Sequence, residues 1–353
     1  MNRRSALIVL ARTAREHGVG EALQGLQTVA FRPAVATQPP RHLQIEIITH
    51  CNLGCIMCPR TVSLARAASS EQQKAWQRWM PYATFLTVLD QFPGLQTLSL
   101  HGIGEPLMHP HLFAMVSAAA QRGVQVRFTT NATLLDQDRC ERLIASGLHR
   151  LIVSLDGATA AAYEAIRPGA KLEKVLENLR TLTGFRRRAG AARPRIEIAM
   201  VVQALNAMEA PDLVALAHGL GADSVILSPM QPPEADLAEL ACDAETWHRA
   251  AEEARTKSRQ LGIPLHVRGG RPVRPRRDPK PTWRCMHPWF SAVVTLDGEV
   301  MPCCNIHDPA SSMGNGLTES FTEVWNGPRY LSFRRELRRK GHVPEPCRWC
   351  PDF

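Results

Sequence analysis

Thr49 to Arg60 reads THCNLGCIMCPR and places Cys51, Cys55 and Cys58 in a Cys-x3-Cys-x2-Cys spacing. Three thiolates on one short loop can grip three corners of a [4Fe–4S] cube, which ordinarily takes four cysteines. The fourth iron is then left without a protein ligand and open to a small molecule. The same loop can hold zinc, with a fourth ligand elsewhere such as His50. Spacing favours the cluster but leaves both readings open, so the surroundings of the loop decide.

The elements that must position this loop are legible from periodicity. Leu43, Ile45 and Ile47 alternate with His42, Gln44 and Glu46 immediately before it, a strand pattern. Further strands are expected at Leu95–Leu100, Val124–Phe128, Arg150–Ser154, Ile196–Val202 and Ser224–Leu227. Between them lie helical patterns: Leu112, Met115, Val116 and Ala119 before Gly123, a helix capped by Asp136, and Leu172, Val175, Leu176 and Leu179. Strand–helix alternation implies a parallel sheet with right-handed crossovers, either open and doubly wound or a barrel. The cysteine loop, Gly102-Ile103-Gly104-Glu105-Pro106, Thr129-Thr130-Asn131 and Ser154-Leu155-Asp156 all fall at the C-terminal ends of successive strands. That is the functional rim of a β/α barrel.

The cysteine spacing resembles the signature of the radical S-adenosylmethionine (SAM) superfamily, and residues 43–230 follow its pattern. The resemblance implies a partial six-stranded (β/α) TIM-like barrel. Met57 stands before the third cysteine, where the family usually has an aromatic residue near the adenine; Met is polarizable and can pack there. Gly104 and Glu105 resemble the family's Gly-Gly-Glu motif, with Ile103 replacing the first glycine. Glycine permits close backbone approach, and a carboxylate accepts from the SAM ammonium. Asn131 resembles the residue that reaches the ribose, and Ser154 and Asp156 the fourth-strand motif that contacts SAM. Arg167 resembles the arginine that clamps the methionine carboxylate, a task suited to a planar guanidinium. Alone, each has a plainer reading as a turn, a left-handed residue or a surface ion pair. Their order behind the cysteine loop favours the SAM reading.

A second set, Cys285, Cys303, Cys347 and Cys350, follows residue 284. Gly298 precedes Cys303 in a Gly-x4-Cys spacing, and Leu296-Asp297-Gly298 reads as a hairpin turn. A zinc ribbon can have such spacing. Beside the barrel motifs it resembles the shortened SPASM module, or twitch domain, which binds one auxiliary [4Fe–4S] cluster through four cysteines. The chain ends three residues after Cys350, so a second auxiliary cluster is not expected. The spacing selects Cys303 over the adjacent Cys304, which stays without a role. Cys140 reads as core and Cys242 has no evident partner.

The expected organisation is an N-terminal helix and linker at 1–40, the barrel at 41–230, a connecting segment at 231–284 and the auxiliary domain at 285–353. The 353 residues include 10 cysteines, mostly in metal-type spacings, which fits a reducing, cytoplasmic setting. No apolar run reaches membrane-spanning length, and the N-terminal run is too short and too interrupted for a signal peptide. The net charge of +9 gathers in Arg186–Arg188 and in Arg334, Arg335, Arg338, Arg339 and Lys340, read as solvated helix faces. Aromatic residues make up 6% and do not interleave with these runs, which argues against nucleic acid.

The resemblance implies reductive SAM cleavage, hydrogen abstraction from a substrate and electron exchange with the auxiliary cluster. An external donor such as flavodoxin or ferredoxin supplies the electron. Twitch-bearing dehydrogenases favour a small substrate such as a sugar or aminocyclitol. Modification of a ribosomal peptide and sugar epimerisation are the alternatives, and a zinc-binding protein without catalysis is a remote one. His101, His109, His111, His307 and Asp308 are the candidate general bases near the barrel mouth.

Overall fold

Six strands stand side by side in the order in which the chain makes them. They are β1 (His42–Ile45), β2 (Thr97–Ser99), β3 (Gln125–Thr130), β4 (Arg150–Ser154), β5 (Arg195–Val202) and β6 (Ser224–Pro229), all parallel. The computed structural model describes residues 33–67, 69–74, 76–232, 235–268, 285–306, 308–339, 342–347 and 350. The expected N-terminal helix and His307 lie outside these residues.

The two faces of the sheet differ as the alternation requires. Leu43, Ile45, Leu98, Val126, Phe128, Leu151, Val153, Ile198 and Val225 are buried on one face. The core they share includes Leu112 and Met115 of helix Leu112–Gln121, Val175 and Leu179 of helix Leu172–Arg188, and Leu213 and Ala217 of helix Ala210–Gly219. The opposite register positions, Gln44, Glu46, Arg127, Thr129, Arg150 and Ser154, are polar and half-buried. A parallel sheet with one helix-covered face and one polar face is the wall of a barrel whose interior receives a ligand.

With β7 (Leu265–Val267), β8 (Ser291–Val294) and β9 (Val300–Met301), the full order is β7-β6-β5-β4-β3-β2-β1-β8-β9, and the sheet does not close. Two features were not evident in the sequence, a strand at the far edge and the joining of the expected hairpin to the barrel sheet. A seventh strand, β7 (Leu265–Val267), extends the far edge beside β6. At the other edge β8 (Ser291–Val294) pairs in parallel with β1, from His42↔Ser291 to Ile45↔Val294, and β9 (Val300–Met301) turns back against β8. The hairpin of the auxiliary segment therefore continues the barrel sheet.

Further contacts join the auxiliary segment to the barrel. Gln91 donates from Nε2 to the Gly316 carbonyl at 2.8 Å and accepts from the Phe321 amide at 2.7 Å. Phe92 and Phe321 stack edges at 4.3 Å between centroids. Arg78 pairs with Asp297 at the hairpin turn. One member of the basic run departs from its reading as solvated surface. Arg334 is fully buried, 4.4 Å over the Trp325 ring, and donates to the carbonyls of Pro288 and Trp325 at 2.8 Å each.

Candidate radical SAM site

The cysteine loop is held from three directions. Behind it, the amides of Gly104 and Glu105 donate to the carbonyls of Ile48 and His50 at 3.2 and 2.8 Å. A Cβ at Gly104 would stand 2.5 Å from the Ile48 carbonyl oxygen, so only glycine lets these two segments approach so closely. On one flank the amides of Gly54 and Ile56 donate to Pro168 and Ile166 at 3.3 and 3.1 Å. On the other, Asn52 donates to Thr133 Oγ1 at 2.9 Å. Cys58 ends the loop as the extended residue before helix Pro59–Arg66, with Pro59 at its first position.

Three of the motif residues form a buried brace. Glu105 accepts from Leu107 N and Thr130 Oγ1 through Oε1, at 3.1 and 2.6 Å, and from Asn131 N through Oε2 at 2.8 Å. Four acceptor sites on a carboxylate leave one on Oε2. Burial raises the pKa of Glu105 while these donors oppose the rise. Asn131 donates from Nδ2 to Asn52 Oδ1 at 3.0 Å and lies 4.0 Å from Cys51 Sγ. Thr130 belongs to the rim motif, but its bond to Glu105 was not read from the sequence. Its signal was a threonine at a core-facing strand position, where a hydroxyl needs a buried acceptor.

Asp156 and Arg167 are engaged with each other. Asp156 is fully buried and accepts through Oδ2 from Arg167 Nε and Nη2 at 2.9 and 2.6 Å, and through Oδ1 from Val201 N at 2.8 Å. Its side chain thus faces the protein, not a pocket, because the Arg167 fork occupies it. Arg167 then places Nη1 3.7 Å from Cys55 Sγ. Burial acts to lower the pKa of Arg167, but Asp156 and Cys55 outweigh it and keep the guanidinium charged. Ser154 ends β4 half-buried, and Met57 packs at the edge of the core.

Burial pushes the Cys55 thiol up to about 11 and raises that of Cys51. Bare thiolates are therefore costly here, and a metal centre that binds them deprotonated removes the cost. Among the described residues no three His, Cys, Asp or Glu side chains converge as donors to one metal ion. A cube does not require that, because each thiolate binds its own corner. The loop, the neighbouring Arg167 and the Asn131 amide fit a cluster with an open iron.

Members of the second cysteine set feel one another electrostatically. Cys285 lies within electrostatic reach of both Cys303 and Cys347, and Cys350 within reach of Cys347. Burial lifts the Cys347 thiol to about 12. Cys303 is buried, whereas Cys304 is exposed and within reach of His287 and Arg127. Cys140 is core, as its helical face implied, and Cys242 is buried too.

Two of the candidate bases have structural tasks. His109 meets the Met80 carbonyl at 3.0 Å through Nε2, and its Nδ1 accepts from the His111 amide at 3.0 Å. Asp308 accepts from Ala310 N at 2.9 Å as the cap of a short helix. His111 stands at the start of helix Leu112–Gln121 without capping it through its side chain. Among the described residues His101 keeps a buried Nδ1 without a partner, and burial lowers its pKa to about 4.

Comparison with known proteins gives this architecture its family. Residues 45–189 match the radical SAM superfamily model, and residues 285–351 match the SPASM iron–sulfur cluster-binding domain. The PqqA peptide cyclase of Streptomyces rochei is 30% identical over 331 residues, covering 91% of this chain and 83% of that protein. The tungsten-containing aldehyde ferredoxin oxidoreductase cofactor-modifying protein of Pyrococcus furiosus is 27% identical over 320 residues, covering 83% of each. Among solved structures, Streptococcus suis SuiB bound to S-adenosylmethionine aligns with a TM-score of 0.67 at 16% identity, over 94% of this chain and 78% of that one. The chain belongs to the radical SAM superfamily and carries a C-terminal SPASM domain. It is an enzyme of SAM and [4Fe–4S] clusters, one of them auxiliary. Among the described residues no helix is long and apolar enough to cross a membrane.

Proposed function

We propose that this chain is a radical SAM maturase that oxidatively modifies a peptide. The observation that carries the reading is the likeness to PqqA peptide cyclases along nearly the whole chain, 30% over 331 residues for the Streptomyces rochei protein. A second cyclase, from Gluconobacter oxydans, is 29% identical over 325 residues and covers 88% of this chain. This likeness outweighs the preference for a sugar or aminocyclitol drawn from the twitch-type cysteine layout and from the short segment before the barrel. The polar face of the sheet supports it further, since Gln44 of β1 and Glu46 just after it, Arg127 and Thr129 of β3, and Arg150 and Ser154 of β4 are half-buried on it.

In this reading Cys51, Cys55 and Cys58 hold the cluster that keeps an open iron, and Cys285, Cys303, Cys347 and Cys350 hold the auxiliary one. When bound, the first cluster and SAM supply a 5′-deoxyadenosyl radical for hydrogen abstraction, and the auxiliary cluster supplies an electron acceptor. The residues of the chain do the positioning. Glu105 joins the Gly-x-Gly-Glu loop to the end of β3 and offers its remaining acceptor site to the SAM ammonium. Arg167, oriented by Asp156, directs charge at Cys55 and has N–H groups left for the SAM carboxylate. Asn131 presents its amide beside Cys51, and Met57 packs toward the adenine. An external protein donor such as flavodoxin or ferredoxin delivers the electron.

The test is incubation of the anaerobically reconstituted enzyme with SAM, reductant and the short peptides encoded beside its gene. Loss of two hydrogens from one of those peptides, read by mass spectrometry, is the expected result. Turnover of an aminocyclitol or sugar panel, with every peptide unchanged, would return the reading to a small molecule.

A further inference from the structure

The polar face of the sheet holds an unbalanced group of positive charges. Arg127 on β3 lies between Ser99 on β2 and Arg150 on β4 in the sheet register. Its Nε donates to Ser99 Oγ at 2.7 Å, and among the described residues its terminal nitrogens carry no hydrogen bond. Arg268, whose amide is tied to the Leu227 carbonyl at 2.8 Å beyond β7, lies within electrostatic reach of both Arg127 and His101. Guanidinium groups remain charged at any working pH.

Three fixed positive charges therefore gather here, and the described carboxylate within reach of Arg127 is Glu197. That carboxylate offsets one charge of the three, which leaves the group with an excess of positive charge. Its Oε2 pairs with Arg150 at 3.3 Å and its Oε1 accepts from Ser224 at 3.1 Å. Among the described residues no carboxylate forms an ion pair with Arg127 or Arg268. His101, held neutral by burial and by these arginines, leaves its Nδ1 unbonded beside them. Crowded like charges repel, and an anion placed among them removes the repulsion.

The position is also informative. Arg127 lies four residues before Asn131, roughly 13 Å along the strand. Arg127 also lies within electrostatic reach of Cys304, the neighbour of Cys303 in the auxiliary loop.

We propose that Arg127, Arg150 and Arg268 form a carboxylate-binding subsite that seats an acidic residue, or the terminal carboxylate, of the peptide substrate. The planar forks suit two-point contact with a carboxylate. The peptide part of this statement rests on the function proposed above; the anion site does not.

Equilibrium binding to the reconstituted holoenzyme separates the two. The first probe is glutarate, compared with uncharged glutaramide. The second is an N-acetylated hexapeptide containing one Glu, with its Gln counterpart, each in amidated and free-acid forms. Glutarate is expected to bind and glutaramide not, with the glutarate Kd rising about tenfold in Arg127→Gln. Arg150→Gln and Arg268→Gln, at more exposed positions, are expected to shift the same way. Preference for the Glu peptide in both terminal forms assigns the site to a side chain; preference for the free acid regardless of Glu assigns it to the chain end. Glutarate binding without any peptide binding keeps the anion site and overturns the peptide reading. Peptide binding indifferent to charge overturns the anion site. An equal loss of SAM affinity in Arg127→Gln overturns it as well, by giving the arginines to SAM.

Discussion

Arg167 links a carboxylate to a thiol, holding Asp156 Oδ2 at 2.9 and 2.6 Å while its Nη1 lies 3.7 Å from Cys55 Sγ. Asp156 has no exposure and Arg167 little, so this is a buried ion pair aimed at the cysteine loop. Removing the carboxylate charge leaves a buried cation uncompensated. Asp156→Asn is therefore expected to cost about 3–5 kcal/mol in denaturant unfolding and to weaken iron retention at the loop. Unchanged unfolding and iron content would show that the pair does no orienting.

Gly104 and Gly54 offer a paired test of the loop's support. A Cβ at Gly104 meets the carbonyl oxygens of Ile48 and His50 at 2.5 and 2.6 Å, while one at Gly54 meets nothing within 4 Å. Gly104→Ala is expected to push the loop away and cost on the order of 1–3 kcal/mol, with less iron bound on reconstitution. Gly54→Ala is expected to bind iron normally. Equal iron contents would sink the argument from close approach.

His101 gives a pH dependence whose sign is fixed. Burial, then Arg127 and Arg268, hold its pKa down to about 4. An unfolded histidine titrates near 6.5. As pH falls through that interval the unfolded chain takes up a proton that the folded chain refuses, so stability is lost. The loss is on the order of 1–3 kcal/mol by about pH 4, and His101→Gln is expected to be free of it. Urea unfolding between about pH 7 and about pH 5 checks this, and parallel profiles for both proteins would contradict it.

Arg334 and Arg335 are neighbours with opposite environments. Arg334 is buried against Trp325 and Tyr330, at 4.4 and 4.7 Å from the ring centres, and Arg335 is exposed. Arg334→Ala strands the carbonyls of Pro288 and Trp325 and leaves a cavity, an expected cost of about 2–4 kcal/mol. Arg335→Ala is expected to stay within about 0.5 kcal/mol of the parent. Thermal unfolding of the two variants side by side decides, and equal shifts would refute the difference.

The six core strands were legible as short apolar runs between helical patterns, and the rim motifs as polar residues at the ends of the first four that a plain turn does not need. The cysteine sets were legible because ligand spacing is local. The pairing of β8 with β1 was not, since strands some 250 residues apart leave no local trace of their register. The task of Asp156 was hidden for a similar reason. A carboxylate at a strand end reads as a ligand contact until the packed structure shows Arg167 already seated on it. The Arg127, Arg150 and Arg268 group escaped notice because its members come from three strands or strand ends, and no motif joins them. Arg334 was misread because charge in a basic run says nothing of which side chain the helix turns inward.

Iron content and SAM cleavage, measured together on the anaerobically reconstituted chain, test the account most directly. Two clusters give about eight irons per chain. Replacing Cys51, Cys55 and Cys58 by Ala is expected to leave about four irons and abolish 5′-deoxyadenosine formation. Replacing Cys285, Cys303, Cys347 and Cys350 by Ala is expected to leave about four irons with cleavage intact. Zinc in place of iron at the first set, or cleavage that survives without its three cysteines, would contradict the account.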